Sequence, residues 1–268
     1  MKSAITQKYL RRHIAIPSEH GSWVFILSPL LIGLFAGGRF VAGSFYLIVA
    51  AMAAFLVRQP VTIAVKAYSG RRSKRDLPAA WFWIIAYGLI GLVAFALLTA
   101  QGFGYLLILA LPGIPVFLWH LYLISKRAER GQAGVEVVAS GVLALAAPAA
   151  FWVGVGEPDP SGWWLFALVW MQSAASIVYA YLRLAQRELV SVPEPIIRLR
   201  MARRALLYTT FNLAWVIFFS IFRVFPALLP LPYLLQWIET LFGTLRPAVG
   251  VKPTSIGIRQ LLISTLFT

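Results

Sequence analysis

The segment "VYAYLRLAQREL", residues 178–189, places cationic side chains at the end of a long apolar stretch. Tyr179, Arg183 and Arg187 follow one another at a spacing of four, so a helix carries all three on one face. An ionisable group within an apolar helix is costly and usually faces a cavity or a partner, so we interpret this face as one wall of a ligand-binding chamber. Snorkelling of Arg187 or Arg183 toward lipid headgroups is an alternative that stays open.

The same helix face is polar deeper in the segment. At about 100° per residue, its polar side chains fall within a stripe about 100° wide; they are Gln172, Ser176, Tyr179, Arg183, Gln186 and Arg187. Snorkelling does not account for Gln172 and Ser176, because both lie nearer the middle of the apolar stretch. We therefore predict that Ser176, Tyr179, Arg183 and Arg187 contact a ligand.

Two further clusters of basic and polar residues are candidates for the same chamber. The first cluster consists of Arg58, Thr62 and Lys66, which follow one another at a spacing of four. The second consists of Tyr122, Lys126 and Arg127, which lie at one level of the membrane. We count all six as ligand-binding candidates. The sequence leaves open whether the three clusters converge or each faces water.

An acidic and a titratable residue begin the first apolar stretch, in "PSEHGSW" at residues 17–23. One interpretation is a helix cap and interface anchor, with Trp23 in the headgroup belt. The other is that Glu19 or His20 closes the mouth of the chamber or carries a proton.

Metal chemistry is not predicted for this chain. It has no cysteine and three histidines, of which His13 and His20 lie seven residues apart and His120 stands alone in an apolar segment. This pattern matches no known metal-ligand spacing. We predict no metal site and no cofactor.

The composition is that of an integral membrane protein. The chain has 268 residues, of which 60% are hydrophobic and 12% charged, and its mean hydropathy is +0.79. A soluble domain is about 45–50% apolar. The first twenty residues are polar and basic and lack the apolar core of a cleavable signal, so we expect the first apolar segment to be retained as a span.

The length of the apolar stretches predicts membrane-spanning helices. A helix needs about 20 residues to cross the hydrocarbon layer, and runs of this length without alternation favour helices over strands. We predict an all-α polytopic bundle of eight to nine transmembrane helices in a single domain, 1–268. The spans are 22–38, 43–65, 79–100, 103–125, 134–155, 162–186, 205–225 and 228–245, and 255–268 is a ninth segment whose spanning status stays open.

The basic residues predict the orientation. With the N-terminus inside, all lysines and arginines except Arg39, Arg223 and Arg259 lie on one side, which the positive-inside rule makes cytoplasmic. The cytoplasmic parts are then 1–20, 66–78, 125–134 and 187–205. The net charge of +15 is explained by topology and anionic lipid, so no nucleic-acid partner is expected.

Topology and motif spacing together resemble the UbiA superfamily of intramembrane prenyltransferases. The fragment "YLISKRAERGQAG" is similar to that family's pattern between helices four and five, with Tyr122, Lys126, Arg127 and Gly134 in matching positions, and "GRRSKRDLP" resembles the basic stretch after its first aspartate motif. The resemblance implies a chamber open to the cytoplasm, between loops that follow the second and sixth helices.

The acidic motifs of that superfamily are replaced by basic residues here. Its second motif falls on the frame from Ser176 to Arg187, which keeps Tyr179 and Ala180 but has no carboxylate, and its first motif falls on Arg58 to Lys66. We find Asp76 as the only acid near the first frame and Glu188 as the only acid near the second. Mg²⁺ needs such carboxylates, whereas arginine binds phosphate without a metal.

The fragments "PSEHGSW", "RQP" and "RLAQRE" resemble the YwiC-like family of bacterial membrane proteins over nearly the whole chain. This resemblance implies the bacterial cytoplasmic membrane as the location. The leading hypothesis is a UbiA-like, cytoplasm-facing cavity that binds an anionic-headed lipid or isoprenoid through arginine and lysine.

Two alternative functions stay open. The protein could instead be a transporter or a non-catalytic subunit of a membrane complex, with protein partners that the sequence does not identify. It could also be a divergent prenyltransferase that works without a metal. No general base is evident for such a reaction, and the catalytic residues are unknown.

Overall fold

The computed structural model of the protein describes residues 9–17, 20–129 and 131–268. Every regular element in these residues is helical, which confirms the predicted all-α class. The chain divides into two units, Met1–Phe166 and Ala167–Thr268, and the boundary lies inside one long helix, Ser161–Arg187. That the whole chain forms a single domain stays a prediction.

The first unit consists of apolar helices joined by short loops. Its described helices are α1 (Arg12–Ala15), α2 (His20–Gly37), α3 (Ala42–Tyr68), α4 (Leu77–Leu98), α5 (Leu107–Ala110), α6 (Gly113–Ser125), α7 (Ala133–Ala144) and α8 (Ala146–Val155). A 3-10 turn at Lys74–Asp76 leads into α4, whose first turn contains Pro78, a residue that needs no amide hydrogen there. α3 and α4 pack against each other, and α2 packs against α8.

Small residues let α2 and α8 approach closely. A Cβ on Gly33 would lie 2.2 Å from the carbonyl oxygen of Ala147, and one on Gly154 would lie 2.8 Å from the Cα of Gly37. Gly33 and Gly37 are four residues apart, the spacing that brings helix backbones together in membranes. This contact lies next to the apolar core of the first unit, where Trp152 and Val153 are buried.

The predicted span 103–125 is not one helix. A π-helical turn at Thr99–Phe103 ends α4, Gly102 has a φ of 91°, and the chain then passes through short turns before α6 begins at Gly113. Gly102 relieves the steric cost of that φ, and Pro112 stands between α5 and α6. α6 has 13 residues, which is about 20 Å of helix and less than the hydrocarbon thickness.

The second unit is built from the greater part of α9 (Ser161–Arg187) together with α10 (Pro195–Ile221), α11 (Pro230–Leu245) and α12 (Pro253–Phe267). α10 begins ten residues before the predicted seventh span, 205–225, because proline is tolerated in the first turn of a helix and the basic residues 198–204 are helical. The non-helical part of the predicted loop 187–205 is therefore short. Within it, Val190 is fully exposed.

Length and composition make five helical segments of the described residues capable of crossing a membrane: Ala42–Tyr68, Lys74–Ala110, Ala133–Val155, Ser161–Arg187 and Pro195–Ile221. The outer face of α4 fits this environment, since Leu89, Leu92 and Val93 are each more than half exposed. The prediction of a polytopic helical membrane protein is confirmed, whereas the number of eight or nine spans stays a prediction. Whether α12 spans the membrane also remains open.

Candidate functional site

The helices α3 and α6 end in the same backbone motif. In α6, the amide of Ala128 bonds to the carbonyl of Leu123 at 2.9 Å and the amide of Arg127 to that of Ile124 at 3.1 Å. Gly70 occupies the corresponding left-handed position after α3, with a φ of 71°. Arg127 has a φ of 58° at a position where glycine is preferred, and this conformation costs a residue with a Cβ about 1–2 kcal/mol.

Arg71, the residue after Gly70, joins the two helix ends. Its Nη2 donates to Oε1 of Glu129 at 2.6 Å, and its Nη1 donates to Oε2 of Glu129 at 3.1 Å and to the carbonyl oxygen of Ile124. The guanidinium group therefore satisfies a carbonyl at the end of α6 and holds a carboxylate at the same time.

These contacts change the protonation of both partners. Hydrogen bonds from Arg71 lower the pKa of Glu129 to about 2, and the nearby charge of Lys66 acts in the same direction. The hydrogen bond to Glu129 in turn raises the pKa of Arg71. Glu129 is therefore an anion at any pH that the protein meets in a cell.

An open depression of about 510 Å³ lies between these two helix ends, and Gly70, Arg71, Arg127 and Glu129 line it. The Nζ of Lys126, the residue before Arg127, lies 5.9 Å from the ring centre of Tyr122. Among the residues that the structure describes, the side chain of Arg127 has no hydrogen-bond or ion-pair partner. We call the site formed by Lys66, Gly70, Arg71, Lys126, Arg127 and Glu129 the basic depression.

Several of the predicted ligand-binding residues thus lie together, and others do not. Lys66, Tyr122, Lys126 and Arg127 are at the depression or beside it, but Arg58 lies two turns of α3 before Lys66, about 12 Å along the helix axis. The Cζ of Arg58 is 5.3 Å from the ring centre of Phe55, and Thr62 is half-buried between the two basic residues.

Asp76, the acid that follows the segment from Arg58 to Lys66, already has two arginine partners. Asp76 accepts a hydrogen bond from Arg11 at 2.5 Å and one from Arg72 at 2.6 Å, so two arginines hold its carboxylate at the start of α4. Within the described ranges, no group of three or more His, Asp and Glu residues is arranged to hold a metal ion.

In the second unit, the predicted polar stripe of α9 is buried against polar residues of α11. The Nε2 of Gln172 donates to Oγ of Ser176 at 3.1 Å, and the Nε2 of Gln236 donates to the same oxygen at 2.9 Å. Gln186, at the other end of the stripe, is 1% exposed. The stripe is therefore a helix–helix contact over this length.

Tyr179 contacts an acid from α11. Its hydroxyl group donates to Oε1 of Glu239 at 2.9 Å, and Arg259 of α12 donates from Nε and Nη2 to the two oxygens of Glu239, both at 2.6 Å. The Cζ of Arg259 also lies 4.4 Å from the ring centre of Phe242. An ion pair with a tyrosine hydroxyl thus connects α9, α11 and α12.

Arg183 is engaged by backbone oxygens at the end of α11. Its Nη1 donates to the carbonyl oxygens of Gly243 and Arg246, both at 2.8 Å, and to Oε1 of Gln186 at 2.9 Å. A cation at a helix C-terminus satisfies carbonyls that lack intrahelical partners and interacts favourably with the helix dipole. Arg187 is half-buried, and its own carbonyl oxygen accepts from the amide of Gly250 at 3.2 Å.

The expectation that Glu188 is the only acid near the second frame is wrong. Glu239 is 60 positions from Tyr179 in sequence and in direct contact with it. Sequence reasoning overlooked Glu239 although it is an acid inside the apolar segment 228–245, which is itself a signal of a buried partner. Arg71 and Glu129 stand in the quoted fragments "GRRSKRDLP" and "YLISKRAERGQAG", but neither fragment shows from its spacing that the two residues pair.

The clusters around Arg58 and Lys66 and around Tyr179 and Arg183 belong to different units, so their convergence on one chamber stays a prediction. Glu19 lies outside the described residues. His20 begins α2, but its side chain is not described, so the gating or proton-carrying role predicted for these two residues is untested.

Long apolar helices and a basic, carboxylate-poor cluster at their ends define a helical integral membrane protein whose polar chemistry is cationic. The chain belongs to the YwiC-like protein family, whose profile matches residues 16–151. It is 28% identical over 155 residues to "Uncharacterized protein YwiC" of Bacillus subtilis (strain 168), a match that covers 56% of this chain and 59% of that protein. No solved structure matches the chain.

Proposed function

We propose that the protein binds an anionic-headed lipid or isoprenoid at the membrane surface through arginine and lysine side chains rather than through Mg²⁺ and carboxylates. The observation that carries this proposal is the open depression of about 510 Å³ lined by Arg71 and Arg127. Small-molecule sites in proteins enclose about 300–1,000 Å³, so the depression has room for a phosphate head and the first part of its chain.

The charge balance of the basic depression favours an anion. Lys66, Arg71, Lys126 and Arg127 are opposed by the carboxylate of Glu129. Two helix C-termini, those of α3 and α6, contribute about half a negative charge each. The remainder is about two positive charges, which a phosphate group would neutralise.

The surroundings of the depression resemble a membrane–water boundary. Tyr68 at the end of α3 and Tyr122 near the end of α6 are 63% and 60% exposed, and the indole of Trp81 donates to the hydroxyl group of Tyr68 at 3.2 Å. Exposed tyrosine and tryptophan are typical of the headgroup layer. A lipid phosphate at this level would meet the arginines without leaving the layer.

The conformation of Arg127 is a further argument. Glycine would fit the left-handed position without strain, and the side chain of Arg127 has no partner in the described structure to compensate for that strain. A bound anion would provide such compensation. This head site is smaller than the predicted one, because it uses Lys66, Lys126 and Arg127 together with Arg71 and does not include Arg58, Arg183 or Arg187.

The test is binding of farnesyl phosphate and of phosphatidic acid to the purified protein in EDTA, with phosphatidylcholine as the zwitterionic comparison. We expect both anions to bind without Mg²⁺ and Arg127→Gly to weaken binding about tenfold, the effect of losing one charged hydrogen bond. Native mass spectrometry of the lipids that co-purify with each variant provides a second measurement.

The matched control is Arg223→Gly. Arg223 ends α10 in the same motif, with the same φ of 58°, so both variants relieve the same backbone strain and remove the same charge. Equal binding by the wild type and both variants would contradict the head site. A wild type that binds phosphatidylcholine as well as phosphatidic acid would contradict the proposed function as a whole.

A further inference from the structure

A buried acceptor without a donor lies in the second unit, on Gln236 of α11. This residue is 4% exposed, and its Oε1 has no hydrogen-bond partner among the described residues. The orientation of the amide is fixed by its other end, since Nε2 lies 3.0 Å from the carbonyl oxygen of Gln172 and only a donor is tolerated there. Rotating the amide group would exchange one unsatisfied acceptor for an unfavourable contact between two oxygens.

Gln236 also lines a small, partly open cavity. Its walls are Ser176, Tyr179, Gln236, Glu239, Gln260 and Ile263, contributed by α9, α11 and α12, and about 10 Å³ within it is open to the centre of a water molecule. This space corresponds to about one water position. Five of the six walls are polar side chains, whereas empty cavities in proteins are apolar.

We infer that this cavity binds one water molecule, which donates a hydrogen bond to Oε1 of Gln236. A buried water needs two to four polar partners, and the walls provide them. The carboxylate of Glu239 accepts the second hydrogen of the water, and Gln260 or the hydroxyl group of Ser176 donates to its oxygen. The bound water would connect the glutamine and serine cluster with the Tyr179–Glu239–Arg259 cluster into one hydrogen-bonded group.

The test uses two buried tyrosines of the same unit. Tyr179 lines the cavity and is 5% exposed, whereas Tyr233 is 1% exposed, donates to the carbonyl oxygen of Leu168 at 2.9 Å and is not among the walls. Short X-ray pulses convert water into hydroxyl radicals, which oxidise the side chains next to it. With a radical scavenger in the bulk solvent, we expect Tyr179 of the intact protein in nanodiscs to be oxidised at least fivefold faster than Tyr233.

A pair of substitutions on α11 tests whether Gln236 holds the water. Gln236→Leu removes the acceptor and fills part of the cavity without adding a sulfur that reacts with radicals, so the oxidation rate of Tyr179 should fall to that of Tyr233. Thr240→Val is the control, because Thr240 is buried on the same helix and bonds back to the carbonyl oxygen of Gln236 at 2.9 Å without lining the cavity; it should leave the rate unchanged.

The comparison within the wild type decides the inference even if a variant does not fold. Equal oxidation of Tyr179 and Tyr233 in the wild type would overturn it. So would a rate for Tyr179 that stays high in a folded Gln236→Leu protein, since the oxidising water would then lie elsewhere. Oxygen-18 water in the irradiated sample identifies the oxygen that is incorporated as one from solvent.

Discussion

The hydroxyl group of Tyr179, on α9, donates to Glu239 of α11 and contacts the backbone of Gly243, which lies one turn after Glu239 on α11. A Cβ on Gly243 would lie 2.1 Å from the hydroxyl oxygen of Tyr179 and 2.7 Å from its Cε2. The absence of a side chain at position 243 therefore makes room for the ring that reaches Glu239. A tyrosine on α9 and a glycine on α11 act as one packing unit.

Gly243→Ala should destabilise the second unit, because the added methyl group displaces Tyr179 and breaks its bond to Glu239. The expected loss is about 1–3 kcal/mol, typical of an overpacked site, and a drop in melting temperature in detergent would measure it. Gly257→Ala in α12 is the control, since nothing lies within 4 Å of a Cβ there and alanine favours a helix. Equal melting temperatures of the two variants would show that the contact between Tyr179 and Gly243 has room for a methyl group.

Removing Arg259 should cost more than removing the charge of Glu239. Arg259→Gln leaves a carboxylate that is 8% exposed without its cation, for about 2–4 kcal/mol. Glu239→Gln leaves an arginine whose side chain is 43% exposed and therefore depends less on its partner than the buried carboxylate does, for about 1 kcal/mol. Thermal melts of both single variants and of the double variant provide the measurement, and a double variant as unstable as the sum of the singles would disprove the coupling.

Acid should weaken the ion pair between Arg71 and Glu129 only well below neutral pH. The folded-state pKa of Glu129 is about 2, below the value of about 4.3 for a glutamate in an unfolded chain. The stabilisation is therefore complete above about pH 4.3 and is lost as the pH falls from there toward 2. Melting temperatures between pH 6 and pH 2 should show this slope in the wild type and a shallower one in Glu129→Gln.

The control for that experiment is Glu188→Gln, which removes one exposed carboxylate from the second unit. It should keep the wild-type slope. A Glu129→Gln profile that is parallel to the wild type over the whole range would show that the ion pair does not contribute to stability in acid.

Arg183→Met should lower stability rather than ligand binding. It removes a donor to the carbonyl oxygens of Gly243 and Arg246. The carbonyl of Gly243 keeps the bond from Nε2 of Gln186, whereas that of Arg246 loses its donor, so the expected loss is about 1 kcal/mol. Arg187→Met, one turn further along α9, is the comparison, and its melting temperature should stay close to that of the wild type. Should Arg183→Met keep full stability and lose co-purifying lipid, Arg183 would be a head-group ligand after all.

The spacing of polar residues identified the polar face of α9 and predicted that it lines a ligand chamber, but it did not predict the contacts of this face with α11. Tyr179 and Arg183 stand on that face as expected, and their partners, Glu239 and Gly243, lie 60 positions away. A repeat of four residues reports a helix face because the helix is local. The partner is set by how helices pack, which one sequence does not encode in any short pattern.

The interruption of the predicted span 103–125 is a second feature that the sequence did not predict. Hydropathy predicted a continuous span from 103 to 125, since glycine and proline interrupt a helix without making the segment less apolar. Gly102, with its φ of 91°, lies in the connection predicted between the spans 79–100 and 103–125. The interruption that hydropathy did not predict lies further on, between Gly104 and Pro112, where the residues stay apolar. The basic depression was only half foreseen, because the resemblance assigned matching positions to Lys126 and Arg127 but none to Arg71 and Glu129, although both stand in the same two fragments.

The full exposure of Val190, in the short connection after α9, has a practical consequence in a chain that contains no cysteine. A Val190→Cys substitution would introduce the sole reactive sulfur of the molecule at a position where a maleimide reagent can reach it. Reagents that do not cross lipid, applied to intact cells and to inverted vesicles, would then report the sidedness of this connection without any counting of charges.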